Sequence, residues 1–118
     1  MERERRRSSR LAVESDGSTG VVRGAVPVFL RDISSGGLGL RLPSSLDPGC
    51  IYPFTALLRG LSVATPIRVT RCHARENGEG KPGDPAFAWE AGAEFLWRDD
   101  GDAAALRRWV DRRSISFS

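Results

Sequence analysis

A small antiparallel β-barrel of six strands with one C-terminal helix is the fold class this sequence predicts, and three observations predict it. Apolar residues recur at every second position through most of the chain, and turns rich in glycine and proline separate those runs. The period lengthens to that of a helix only after Trp97. With 118 residues, 40% of them hydrophobic, the chain suits one core and one domain.

The first element, residues 1–10, reads as a flexible arginine-rich arm. It holds Arg3, Arg5, Arg6, Arg7 and Arg10 with two glutamates and offers no apolar side chain between Met1 and Leu11, so it has nothing to bury. The barrel is expected over 11–98. Leu11 and Val13, then Val26 to Leu30, read as early strands joined in a hairpin through the turn-rich stretch Ser15 to Gly20. Leu38, Leu40 and Leu42 alternate with Gly39 and Arg41, while Tyr52, Phe54, Ala56 and Leu58 alternate with Pro53, Thr55, Leu57 and Arg59. Each run gives one apolar face at period two. Val63, Thr65, Ile67 and Val69 continue the pattern, and residues 76–85 (ENGEGKPGDP) are too polar to pack and read as a surface loop. Phe87, Trp89, Ala91, Ala93 and Phe95 form the longest alternating face and predict a central core strand whose outer face is Ala88, Glu90, Gly92 and Glu94. The last element is a helix over 99–113. Asp99, Asp100 and Asp102 supply cap and first-turn carboxylates, Ala103, Leu106, Trp109 and Val110 make one apolar stripe, and Arg107, Arg108, Arg112 and Arg113 crowd the negative end of the dipole.

Composition narrows the function classes. No apolar run approaches the length of a bilayer span, and the first ten residues lack the apolar stretch of a signal peptide, which predicts a soluble cytoplasmic protein without membrane contact. Cys50 and Cys72 have neither CxxC spacing nor secretory context, so neither a disulfide framework nor a metal site is expected. The arm carries a local charge of +3, and the rest of the chain balances thirteen basic against thirteen acidic groups, so an anionic partner is expected at the arm. His73 is the sole histidine and no nucleophile, phosphate-loop or dinucleotide motif is present, which argues against an enzyme and against a cofactor. Glu90 and Glu94 alternate with core residues and read as a solvated outer face; Trp89, Trp97 and Trp109 read as packing residues.

The segment that carries chemistry is Asp32-Ile-Ser34-Ser-Gly-Gly37, followed by Leu38-Gly-Leu40. A strand ending in Asp, then Ser, then two glycines puts a carboxylate and hydroxyls on a tight turn whose backbone can approach a ligand closely. The same residues would also make an ordinary hairpin turn.

Arg6-Arg7-Ser8-Ser9-Arg10 with Asp32-x-Ser34-x-x-Gly37 resembles the paired RxxxR and [D/N]xSxxG signature of the PilZ family. Asp-Ile-Ser-x-Gly-Gly-Leu-x-Leu is similar to that family's turn and strand, Gly92-Ala-Glu-Phe95 to its GxEF core strand, and Leu106 to Val110 to its C-terminal helix. An RxxxR match has little weight in so basic an arm, where Arg3 and Arg7 also satisfy it; the second motif and its flanks make the pair specific. The resemblance implies a PilZ-type barrel that binds cyclic di-GMP, a bacterial second messenger, and passes the signal to a protein partner the sequence does not identify. It implies that Arg6 and Arg10 take guanine edges or phosphates, Asp32 a guanine donor edge and Ser34 a base or phosphate, with Gly37 keeping the turn tight. The arm would be ordered by the ligand. In this family an arginine just before RxxxR, here Arg5, goes with two bound ligand molecules per chain. Two other classes stand beside this reading. One is a ligand-independent PilZ-like interaction module. The other, opposed by the acids in the arm and the neutral remainder, is a nucleic-acid-binding barrel with a basic arm.

Overall fold

A computed structural model describes residues 10–13, 18–24, 26–75 and 88–115. Among the described residues seven strands and one helix follow one another: β1 (Leu11–Ala12), β2 (Thr19–Val22), β3 (Val26–Ile33), β4 (Gly37–Leu42), β5 (Ile51–Leu58), β6 (Leu61–Ala74), β7 (Trp89–Phe95) and α1 (Asp100–Ile115). All pairings are antiparallel, and hydrogen bonds run β3–β2–β5–β6–β7–β4 and back to β3, closing a six-stranded barrel. Closure leaves no edge in the ring. The short β1 lies outside it, on the stretch of β3 beyond the end of β2, with Leu11 opposite Ile33 and Ala12 opposite Asp32.

The start of the barrel differs from the sequence expectation. Thr19 and Gly20, read as turn, belong to strand β2, which is the hairpin partner of β3 through Arg23 and Gly24, both at positive φ (61° and 77°). Gly20 misled because glycine has a second use besides turns: a Cβ there would lie 2.6 Å from the Thr55 carbonyl oxygen, so its absence lets β2 and β5 come together. Val13 is buried but lies beyond β1, its N–H donating to the Arg31 carbonyl at 3.0 Å. The expected loop at 76–85 and Phe87 lie outside the described residues.

Period-two alternation fills the interior. Leu30, Ile33, Leu38, Leu40, Leu42, Phe54, Leu58, Ile67, Val69 and Phe95 all point inward and are buried. The helix closes the core with Leu106, Trp109 and Val110 and packs against β6 and β1. Asp99 caps it, its carboxylate accepting the Gly101 N–H at 2.7 Å, with acids in the first turn and Arg112 and Arg113 in the last. Trp109 buries its rings and places its Nε1–H on the Arg59 carbonyl at 2.8 Å, which ties the helix to the β5–β6 turn.

Candidate functional site

Strands β3 and β4 meet in a tight turn built by Ser34. Its hydroxyl accepts the N–H groups of Gly36 and Gly37 at 3.2 and 3.3 Å, and its own N–H donates to the Gly37 carbonyl at 2.8 Å. Ser34 is only 5% exposed. Gly37 is required by packing: a Cβ would lie 2.5 Å from the Ala93 carbonyl oxygen of β7. The Ser35 carbonyl accepts the Trp97 indole N–H at 2.9 Å, and Gly36 accepts the Phe95 N–H at 3.0 Å, so the turn is anchored to the end of β7.

Just before the turn, β3 bulges. Leu30 pairs with Leu40 and Asp32 with Gly39, so Arg31 is an extra residue. The bulge lets Leu30 and Ile33, three apart, both face the core, and it turns Arg31 and Asp32 outward. The Asp32 carboxylate lies across Gly39, where a Cβ would come within 3.1 Å of Oδ1. Arg10 reaches it from the residue before β1: Nη1 to Oδ1 is 2.5 Å, with the side chains 50% and 25% exposed. Two sequence motifs 22 residues apart thus meet in one ion pair.

From Asp32 a bare row crosses the outside of the wall. Gly39 stands opposite Gly92, and Gly92 opposite Arg71, so two glycines lie between a carboxylate on β3 and a guanidinium on β6. At a strand spacing of about 4.8 Å, the missing Cβ atoms leave a trough roughly 14 Å long, over whose two glycines the Asp32 carboxylate and the Arg71 guanidinium lie. Charged ridges flank it. On one side Arg41 pairs across to Glu90 and Glu90 to His73. On the other Glu94 holds Arg68 at 3.0 Å.

Glu90 departs from the solvated position expected of it. Its side chain is 22% exposed and ringed by three arginines and an imidazole: Arg41 at 3.5 Å, Arg31 at 3.7 Å, His73 at 3.8 Å and Arg75 at 4.0 Å. Counting Arg10, Arg31, Arg41, Arg68, Arg71 and Arg75 against Asp32, Glu90 and Glu94, this flank is cationic. That balance suits an anion.

The structure therefore brings Arg10 and Asp32 together beside the Ser34–Gly37 turn, and it gives Ser34 and Gly37 work inside the fold. Arg5 and Arg6 lie outside the described residues. Sequence reasoning missed Gly39, Gly92, Arg71 and the ring around Glu90. The signal for the glycines was present, since both stand at outward positions of alternating strands, where a side chain is ordinarily free to sit. No helix among the described residues is long and apolar enough to cross a membrane.

The model of the PilZ domain family matches residues 4–112, which takes in most of the arm, the barrel and nearly all of the helix. Among solved structures, the PilZ domain of YcgR from Escherichia coli, solved with c-di-GMP, is similar with a TM-score of 0.67 at 16% identity, covering 93% of this chain and 94% of that one. Among curated proteins, none matches the chain.

Proposed function

The chain belongs to the PilZ domain family, and we propose that it is a receptor for cyclic di-GMP, which it takes up along the glycine-floored trough that begins at Arg10 and Asp32. One observation carries the proposal: the 2.5 Å pair between Arg10 and Asp32 joins the two halves of the motif at the head of a cationic trough. The ligand named for the YcgR domain gives the chemistry, with two phosphates to match guanidinium groups and two guanines to match guanidinium and carboxylate.

Magnitudes favour exchange over a static pair. An ion pair as exposed as Arg10–Asp32 contributes about 0–1 kcal/mol. Hydrogen bonds to charged groups contribute about 1.5–3 kcal/mol. A ligand that offers phosphate or guanine O6 and N7 to Arg10, and the donor edge of guanine to Asp32, therefore outcompetes the pair at little cost. Arg6 joins Arg10 on the ligand, and the arm becomes ordered over it. Ser34 acts by holding the turn, which sets where Asp32 and the Gly39 backbone stand, and Gly37 by letting β4 approach β7. The ordered arm is then a new surface for a downstream protein, which makes the domain an adaptor. Arg5, immediately before the motif, serves a second, stacked ligand molecule, because the added phosphates require another guanidinium.

Calorimetric titration of the full chain with cyclic di-GMP tests the proposal. Saturable binding with two ligands per chain, falling to one in Arg5→Leu, is the expected result. A parent that takes up no ligand overturns the receptor reading, and a parent that takes up one ligand overturns the role given to Arg5.

A further inference from the structure

The trough has a second bulge, at its other end. On β6, Val69 pairs with Ala93 and Arg71 with Gly92, so Thr70 is an extra residue just as Arg31 is on β3. The two irregularities mirror one another: each precedes an end of the row Asp32–Gly39–Gly92–Arg71, and each turns the end residue onto the outer wall. A bulge leaves one residue unpaired and weakens the ladder, and it is characteristically retained where it re-aims a side chain. Here the Thr70 hydroxyl repairs part of the gap by donating to the Gly92 carbonyl at 3.0 Å.

What the bulge aims is the Arg71 guanidinium. It lies directly on Gly92, close enough that a Cβ at that position would overlap Nη1. The other charges of this flank have partners: Asp32 has Arg10, Glu94 has Arg68, and Glu90 has its ring of cations. Among the described residues no carboxylate pairs with Arg71, and its side chain is exposed. A cation with no counter-ion, resting on bare backbone, is not explained by the stability of the wall.

We propose that Arg71 is a further ligand-binding residue, contacting the phosphate or guanine edge of the bound dinucleotide at the end of the trough opposite Arg10 and Asp32. The inference rests on the cyclic di-GMP reading above. That ligand is chemically twofold, with a phosphate and a guanine in each half, and a trough with a guanidinium at either end meets both halves. Glycine at position 92 then has a reason: any side chain there would push Arg71 aside and fill the floor on which the ligand rests.

Calorimetry of the full chain with cyclic di-GMP, with thermal unfolding measured on the same samples, tests the role. Arg71→Ala is expected to weaken binding at least tenfold with the melting midpoint unchanged, and Gly92→Ala to weaken it through displacement of the guanidinium. Arg107→Ala, an exposed arginine on α1 away from the trough, is expected to bind as the parent does. An Arg71→Ala variant with parental affinity overturns the inference and leaves the receptor reading standing, as does a loss of binding matched by an equal loss of folding. A parent that binds no cyclic di-GMP overturns the receptor reading itself, and this inference with it.

Discussion

The two flanks of the barrel share a core and differ in everything they show to solvent. On the β2–β5 flank the outward residues are Thr19, Val21, Ile51, Pro53, Thr55 and Leu57, without a formal charge, and Leu57 is 67% exposed. On the β3–β4–β7 flank they are charged in two ridges with a glycine floor between them. Inward, the flanks are interchangeable: Val28, Leu30, Leu38 and Leu40 on one, Phe54, Ala56, Leu58 and Val22 on the other. Because successive side chains of a strand point to opposite faces, one set of alternate positions builds the fold and the other is free to vary. The charged ridges and the glycine floor are written on the second set, on one flank only.

Removing what both flanks share has the largest expected effect. Trp109→Ala deletes the helix anchor and its bond to the Arg59 carbonyl, and about 3–5 kcal/mol of stability should be lost in denaturant unfolding. Probes on either flank should report one coincident transition. Two separate transitions would break the picture of a common core.

Glycines sharpen the contrast. Gly20 and Gly37, one on each flank, would drive a Cβ into a carbonyl oxygen at 2.6 and 2.5 Å. Each Gly→Ala change should therefore cost about 1–3 kcal/mol in folding, because backbone must move. Gly39→Ala meets first the Asp32 carboxylate, 3.1 Å away at the end of a side chain that can turn. Its unfolding midpoint should stay close to the parent's while cyclic di-GMP affinity falls. Equal folding losses at Gly37 and Gly39 would contradict the division between structural and ligand-facing glycines.

Arg10→Ala and Asp32→Ala are expected to weaken ligand binding by about 1.5 kcal/mol or more, the order of a lost charge-assisted contact. Arg10→Ala should leave the melting curve where it was, since the exposed pair is worth little to the fold. Calorimetry beside thermal unfolding separates the two quantities. Parental affinity in Arg10→Ala would remove the ligand from this end of the trough.

The smallest effect belongs to the uncharged flank. Leu57→Lys should change stability by no more than about 0.5 kcal/mol and leave cyclic di-GMP binding unaltered, as for an exposed residue away from any site. A lost ligand isotherm in this variant would extend the site across the whole wall.

Much of this protein was legible in the chain itself. Alternation at Leu38, Leu40 and Leu42, at Phe54, Ala56 and Leu58, and at Ala91, Ala93 and Phe95 marks the core because side chains in a strand have a period of two, and the stripe of Leu106, Trp109 and Val110 marks the helix by its longer period. Arg10 and Asp32 stood out as motif residues, since charge and spacing are properties of the sequence. Their meeting at 2.5 Å is not, for it depends on β1 lying along the end of β3. The bulges left a trace, in apolar spacings of three rather than two at Leu30 and Ile33 and at Val69 and Cys72, but a break in period does not say which residue is extruded or where the next one points. Whether a glycine is a turn, a close approach or a floor is decided by what stands opposite, and so are the cations gathered on Glu90. Those neighbours come from strands as many as 59 residues away along the chain, as with Arg31 and Glu90. Strand order and register bring them together, because β4 is hydrogen-bonded to both β3 and β7, and β7 in turn to β6.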